Sequence, residues 1–319
     1  MMKKLNYLLA ALFLSLVMTA EMSAQDLNAA GKALNKGIEL SNEGDIQGAI
    51  ASYTDCINIA SELGEEGAEL KTKASTQVAN LYMKMGADLY KDKNFESAID
   101  AFANSARYAD LAGNEELAGK ARNYFAITYT GEGNTLMRSK KYKQAIESYQ
   151  KALEYDPEFV KAHYGLSLGY SKIDEGGKME ESVTRIIELS DDEKIISKSK
   201  TVASKYFLKV CVEAIKEENY NVASMMATKS IEYDEKESAA YYYLALSNNA
   251  NKNWQQAQQA ALKGLAVEEK DKSNLYFELG RAYEGMGDAT NACESYAQVA
   301  SGPNMEAAKY QREQVLKCQ

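Results

Sequence analysis

Histidine is the side chain most often used for proton transfer or metal binding, and this chain of 319 residues has one, His163. A catalytic or zinc-binding histidine needs an acid, a cysteine or a second histidine at ligand spacing, and none flanks His163. It falls where a helical pattern calls for a large residue, so we read it as structural. The chain has no HExxH and no P-loop. The acidic pairs Glu65-Glu66 and Asp191-Asp192 fall in turns and read as solvated charge. Without a paired acid and base, or a nucleophile with a partner, no catalytic residue, metal site or cofactor is expected.

The four cysteines come next. Cys56 lies on the apolar stripe of a helix, seven residues after Ala49, and Cys211 fills a small-residue slot. Both read as packing residues, since a free buried cysteine behaves as a small hydrophobe. Cys293 and Cys318 approach each other across the last helices. The antiparallel register sets them several residues apart, which disfavours a disulfide.

The elements that would position such residues are helical. Only 2 prolines, 22 tyrosines and a hydrophobic share of 45% suit helices with an aromatic core and exclude a disordered chain. The 46 acidic residues outweigh 37 basic ones, and a net charge of −9 disfavours a nucleic-acid binder, which needs a basic surface. At the N-terminus Lys3 and Lys4 precede an apolar run, Leu8 to Val17, with small and polar residues through Ala24. This is the layout of a secretory signal peptide over 1–24, and the run is short of the roughly 20 apolar residues that cross a bilayer. Cleavage after Ala24 is expected, with an uncleaved signal anchor as the alternative because Met22 is not small. No cysteine follows the run until Cys56, which argues against a lipid-modified N-terminus. Removing Lys3, Lys4 and Glu21 takes the mature charge to −9 − 2 + 1 = −10.

The stretch 126–159 reads as two amphipathic helices joined by a polar turn. Tyr129, Gly133 and Leu136 share one face of the first, Ala145, Tyr149 and Ala152 one face of the second, and Pro157 stops it. Other segments repeat the pattern. Its spacing follows W-x2-L-G-x2-Y, A-x3-F, P, with Tyr129 in the tryptophan slot, Glu132 in the leucine slot, Leu136 for tyrosine and Tyr149 for phenylalanine; the chain therefore resembles the tetratricopeptide repeat (TPR) family. The resemblance implies an all-α, right-handed α-solenoid of about seven helix pairs with a C-terminal capping helix. We place repeats at 29–61, 66–109, 117–159, 160–190, 197–234, 238–269 and 272–300, and the cap at 303–319, all in one solenoid over 25–319.

The alanines Ala49, Ala98 and Ala145 are 49 and 47 residues apart, so the first repeats carry longer helices or inserted turns. Ala223, Ala257 and Ala292 follow at 34 and 35, the ordinary period. In the fourth repeat DEGGK is expected to lengthen the turn, with Ser182 in the alanine slot.

First helices of such a stack line its inner wall, the expected binding surface. Met83, Tyr90, Met137, Tyr164, Leu208, Tyr242 and Phe277 should point there, interleaved with Lys91, Arg138, Lys172 and Lys216. That makes a partly apolar groove with a basic edge on an acidic protein, suited to a peptide or protein partner, an acidic one favoured. The bland account is that these cations are simply solvated. Some TPR proteins grip a C-terminal carboxylate with lysines and asparagines. Asn134 matches one such place, but Thr130, Leu34 and Ile38 do not match the rest. The expectation is a non-enzymatic adaptor of the bacterial envelope, periplasmic or outer-envelope-associated. A glycan-associated surface protein and an inner-membrane-anchored regulatory or stress protein are the alternatives.

Overall fold

The computed structural model describes residues 25–318, and among these the chain is helical throughout, without strands. The predicted signal, 1–24, lies outside the described residues. Two compact units divide between Ala162 and His163. The first unit contains α1 (25–43), α2 (Ile46–Glu62), α3 (Ala68–Lys91), α4 (Phe95–Leu111), α5 (Glu115–Arg138) and α6 (Tyr142–Tyr155). The boundary falls inside α7 (Val160–Lys172). The second unit continues with α8 (Gly176–Leu189), α9 (Glu193–Lys216), α10 (Tyr220–Tyr233), α11 (Ser238–Ala250), α12 (Trp254–Val267), α13 (Ser273–Gly285), α14 (Ala289–Ala297) and α15 (Met305–Tyr310). Among the described residues no helix is long and apolar enough to cross a membrane.

Helices pack in sequence as pairs, and one turn design joins both helices of every pair. The first helix ends on a residue of positive φ, and the next residue bonds back to close it while starting the second helix. Thus Asn94 N donates to Leu89 O, Lys141 N to Leu136 O, Asn219 N to Ala214 O and Asp288 N to Tyr283 O, all between 2.8 and 3.0 Å. This six-to-one bond satisfies a carbonyl that the helix end would leave bare. The closing residue is often also the cap: the carboxylate of Asp45 accepts from Gly48 N at 2.9 Å and that of Asp288 from Asn291 N at 3.1 Å. Gly44 supplies the left-handed residue before Asp45, with φ of 86°. In five of the turns it is Lys93, Lys140, Asp174, Glu218 or Lys252 instead, at φ of 56–62°.

Small residues on first helices receive large ones from second helices. A Cβ on Gly37, Gly86, Gly133 or Gly280 would lie 2.6 or 2.7 Å from the ring of Tyr53, Phe102, Tyr149 or Tyr296 respectively, each sixteen residues on. All four rings are almost wholly buried, and each such ring contributes roughly 2–3 kcal/mol through the apolar area it removes from water. Where the slot holds something larger than glycine, the residue sixteen on is smaller. Ser167 is matched by Val183, Cys211 by Ala227 and Ala245 by Ala261, all buried. The expected packing role of Cys56 and Cys211 holds, both being fully buried free thiols.

The long spacing of the first repeats comes from helix length, since α3 and α5 run 24 residues each. The fourth pair corrects two expectations. DEGGK does not lengthen the turn: Asp174 is the left-handed residue, Glu175 precedes the helix, and Gly176 and Gly177 already belong to α8. Met179, four residues after the start as Ala145 is after Lys141, takes the alanine slot, and Ser182 sits buried one turn further on.

The chain end also differs. The single capping helix is six residues of α15 followed by a π-helical turn, Gln311–Val315. Lys317, at φ of 54°, then turns the chain back, and Cys318 N donates to Arg312 O at 2.8 Å. This return cancels the register offset, and Cys293 and Cys318 form a disulfide with Cα atoms 5.8 Å apart.

Candidate functional site

In the first unit, a cleft of about 200 Å³ opens where α3 turns into α4 beside α5. Its walls are Tyr90, Lys91, Lys93, Phe95, Gly131, Asn134, Thr135 and Arg138. Each is placed by the repeat geometry. Lys91 and Arg138 are the last residues of α3 and α5, favourable places for cations opposite the helix dipole. Lys93 is the left-handed turn residue and Phe95 opens α4. The Tyr90 ring lies edge-on to Phe95, centroids 5.8 Å apart, and on the backbone of Gly131, where a Cβ would approach it to 2.7 Å.

Three cations and no carboxylate are among these wall residues. Lys91 bonds Asp88 on its own helix at 3.0 Å, an exposed pair of small energetic weight. The Tyr149 hydroxyl donates to Asn134 Oδ1 at 2.8 Å, which leaves the Asn134 amide NH2 to donate into the cleft. A carboxylate or another anion would therefore meet two ammonium groups, a guanidinium and an amide beside an aromatic wall. A second cleft of this unit, about 260 Å³ between α2 and α3, is mainly apolar, rimmed by Asp88 and Asp92, and contains none of the predicted residues.

The second unit has a comparable cleft of about 220 Å³ between α7 and α9, with Leu168, Ser171, Lys172, Val202, Lys205, Tyr206 and Lys209. Here one cation is neutralised: Lys209 Nζ lies 2.7 Å from Asp174 and 3.8 Å from Glu213. The hydrogen bond to Asp174 raises the Lys209 pKa, and burial raises that of Tyr206. A third cleft, about 350 Å³ near α15, includes Phe277 with Trp254, Arg281, Glu284, Gly285, Tyr296 and Gln311.

The predicted groove residues are thus distributed over separate clefts. Tyr90, Lys91 and Arg138 come together in the first unit, Lys172 lines the α7–α9 cleft and Phe277 the third. Met83 instead packs partly buried against the cluster of Ala98, Phe102 and Phe125. Met137, Tyr164 and Leu208 are partly buried and line none of these clefts, and Lys216 is exposed at the end of α9. Tyr242 lies tilted against Tyr243, ring centroids 4.9 Å apart, its phenol pushed up to about 12, mainly by burial. Sequence reading missed Lys93, Phe95 and Thr135, and it weighed Asn134 only as a clamp residue. The available signal was Gly131, two residues before Gly133, which admits Tyr90 to the α5 backbone. His163 is buried, and among the described residues no group of three or more His, Cys, Asp or Glu is arranged to hold a metal ion.

Comparison with known proteins agrees with this geometry. A family model described as TPR repeat matches residues 133–172, and one described as Tetratricopeptide repeat matches 273–301. The chain is 25% identical over 214 residues to Hsp70-Hsp90 organizing protein 3 of Arabidopsis thaliana, covering 62% of this chain and 36% of that protein. It is 29% identical over 107 residues to the Peroxisomal targeting signal receptor of Candida albicans, covering 34% and 16%. The chain therefore spans little more than a third of the length of the first of these relatives and less of the second. Among solved structures, MamA matches at 18% identity and TM-score 0.38 over 60% of this chain and 96% of that one. YrrB, described as a TPR protein with an unusual peptide-binding site, matches at 15% identity and TM-score 0.39 over 59% of this chain and 92% of that one. The two matched segments, and a turn and packing design that recurs from pair to pair, lead to one conclusion: the chain contains tetratricopeptide repeats, at 133–172 and 273–301.

Proposed function

We propose that this protein is a non-catalytic scaffold of the bacterial cell envelope that holds an acidic segment of a protein or peptide partner in the cleft between α3 and α5. The observation that carries the reading is the cleft itself, three cations and a donating amide against Tyr90 and Phe95 in a protein of net charge −9. Aromatic anchors beside complementary charge are what a peptide site needs. Two relatives are named for handling other proteins, an Hsp70-Hsp90 organizing protein and a targeting signal receptor, which agrees with a scaffold role here. The envelope location is supported by the signal-like segment at 1–24 and by the Cys293–Cys318 disulfide, since such bonds persist in oxidising compartments.

The test is crosslinked capture of a partner from the envelope fraction by the mature protein, followed by titration of that partner's acidic segment. Lys91→Glu, Lys93→Glu and Arg138→Glu together should weaken binding by at least roughly tenfold, as loss of a charge-assisted contact does. Undiminished binding by the triple variant refutes the site, an N-terminus other than Gln25 in the mature protein refutes cleavage after Ala24, and retention of Met1 refutes the cleaved signal.

A further inference from the structure

The cleft near α15 corresponds in the repeat to the basic cleft of the first unit, but its chemistry is reversed. Trp254 opens α12 as Phe95 opens α4. Gly285 stands five residues after Gly280, where Arg138 stands five after Gly133. A Cβ on Gly285 would overlap the Trp254 ring, so the indole lies on bare backbone and the place of the cation is taken by an aromatic face.

The polar groups of this cleft are unevenly committed. Arg281 is turned to the buried Glu278: its Nη1 donates to the two carboxylate oxygens at 3.3 and 3.1 Å, and Asn249 Nδ2 adds a bond of 2.8 Å. Glu278 is 2% exposed, so this carboxylate serves Arg281 and cannot serve a ligand. Glu284 receives the Tyr296 hydroxyl on Oε2 at 2.7 Å, which leaves its Oε1 open to a further donor. Gln311 contributes a buried Oε1 that has no hydrogen-bond partner among the described residues. With Arg281 balanced by Glu278, two acceptors, one of them charged, are left beside the faces of Trp254 and Phe277.

We propose that this cleft is a binding site for a cationic alkyl group, the ammonium of a lysine or the guanidinium of an arginine side chain presented by a protein partner. Indole is the strongest aromatic partner for a cation, Glu284 supplies the countercharge, and Gln311 accepts one of the remaining N–H bonds. The proposal does not rest on the acidic-ligand reading of the first unit. It gives the protein two sites of opposite charge preference.

Trp254 is the only tryptophan of the chain, so its emission reports this cleft alone. The full chain is titrated at low salt with capped tripeptides centred on lysine, arginine or glutamate, and with spermidine. The lysine or arginine peptide should change the emission in a saturable way while the glutamate peptide does not. Glu284→Gln keeps the acceptor for Tyr296 and should weaken the response at least about tenfold, as expected for losing a charged acceptor. Tighter saturation by the peptides than by spermidine supports a protein side chain as the source, and the reverse order overturns that source. No emission change with any cation, an equal response to the glutamate peptide, or full response in Glu284→Gln overturns the site.

Discussion

Gly133→Ala and Gly119→Ala are the same substitution in the same helix, α5, and their effects should have opposite signs. At Gly119 an added Cβ meets nothing within 4 Å, so exchange for alanine should stabilise by about 0.5–1 kcal/mol through helix propensity and a less flexible unfolded chain. At Gly133 the Cβ would lie 2.6, 2.8 and 2.9 Å from Cε1, Cδ1 and Cζ of Tyr149, against about 3.5 Å or more for an ordinary carbon contact. The ring would have to withdraw by nearly 1 Å on that scale. It is 1% exposed, and its hydroxyl is fixed to Asn134. Overpacking of this kind costs ~2–3 kcal/mol, and the propensity gain offsets about 1 kcal/mol of it. Gly133→Ala should therefore destabilise by ~1–2 kcal/mol, leaving a gap of about 1.5–3 kcal/mol between the two variants. Urea titration by circular dichroism, with hydrogen exchange of α5 amides, measures both. Tyr149→Val, imitating the Ser167–Val183 match, should be better tolerated in the Gly133→Ala background than beside the native glycine, by a coupling of about 1 kcal/mol or more. Shifts of the same sign and size for both alanine variants would refute the packing argument.

Tyr149 also gives a pH dependence. Its phenol is raised by burial from 10.0 to about 12, so the folded state keeps a proton that the unfolded chain releases. That stability is complete below pH 10.0 and is lost as pH rises through about 12, a change on the order of 3 kcal/mol; Tyr149→Phe should flatten the slope in urea titrations at alkaline pH. Lys140→Gly relieves a side chain held at φ of 59° and should raise the melting temperature, by up to ~1 kcal/mol of stability, whereas Gly44→Ala at 86° should lower it. Cys318→Ser opens a loop of sequence separation 25. It should cost ~3 kcal/mol in the last repeat, read as faster hydrogen exchange in α14, with intact mass confirming the bond in the parent.

Four glycines with a ring sixteen residues on made the helix pairs visible from sequence, because a close helix approach leaves few other choices at the small slot. The fourth pair was misread for a related reason. Met179 fills a slot where alanine was sought, and Gly176-Gly177 drew the turn toward themselves although Asp174 makes it. A left-handed aspartate or lysine leaves no mark in composition, since its conformation is imposed by the bonds around it. The disulfide was hidden likewise: it depends on a π-helical turn and on the reversal at Lys317. In the candidate site, Lys91 and Arg138 were legible as ends of consecutive first helices, and Tyr90 came with them. Lys93 and Trp254 were not, because their places depend on turns whose shape is decided by neighbouring helices.

Each glycine and its ring belong to the same helix pair. A copying event that gains or loses one pair therefore carries both halves of the fit, and no cavity or clash appears inside the unit that moves. Only the surfaces it shows to its neighbours have to be matched again. Lengthening or shortening such a chain is then a change of number more than of design, and a residue such as Trp254 can acquire a separate role in one copy while the packing of the others stays as it was.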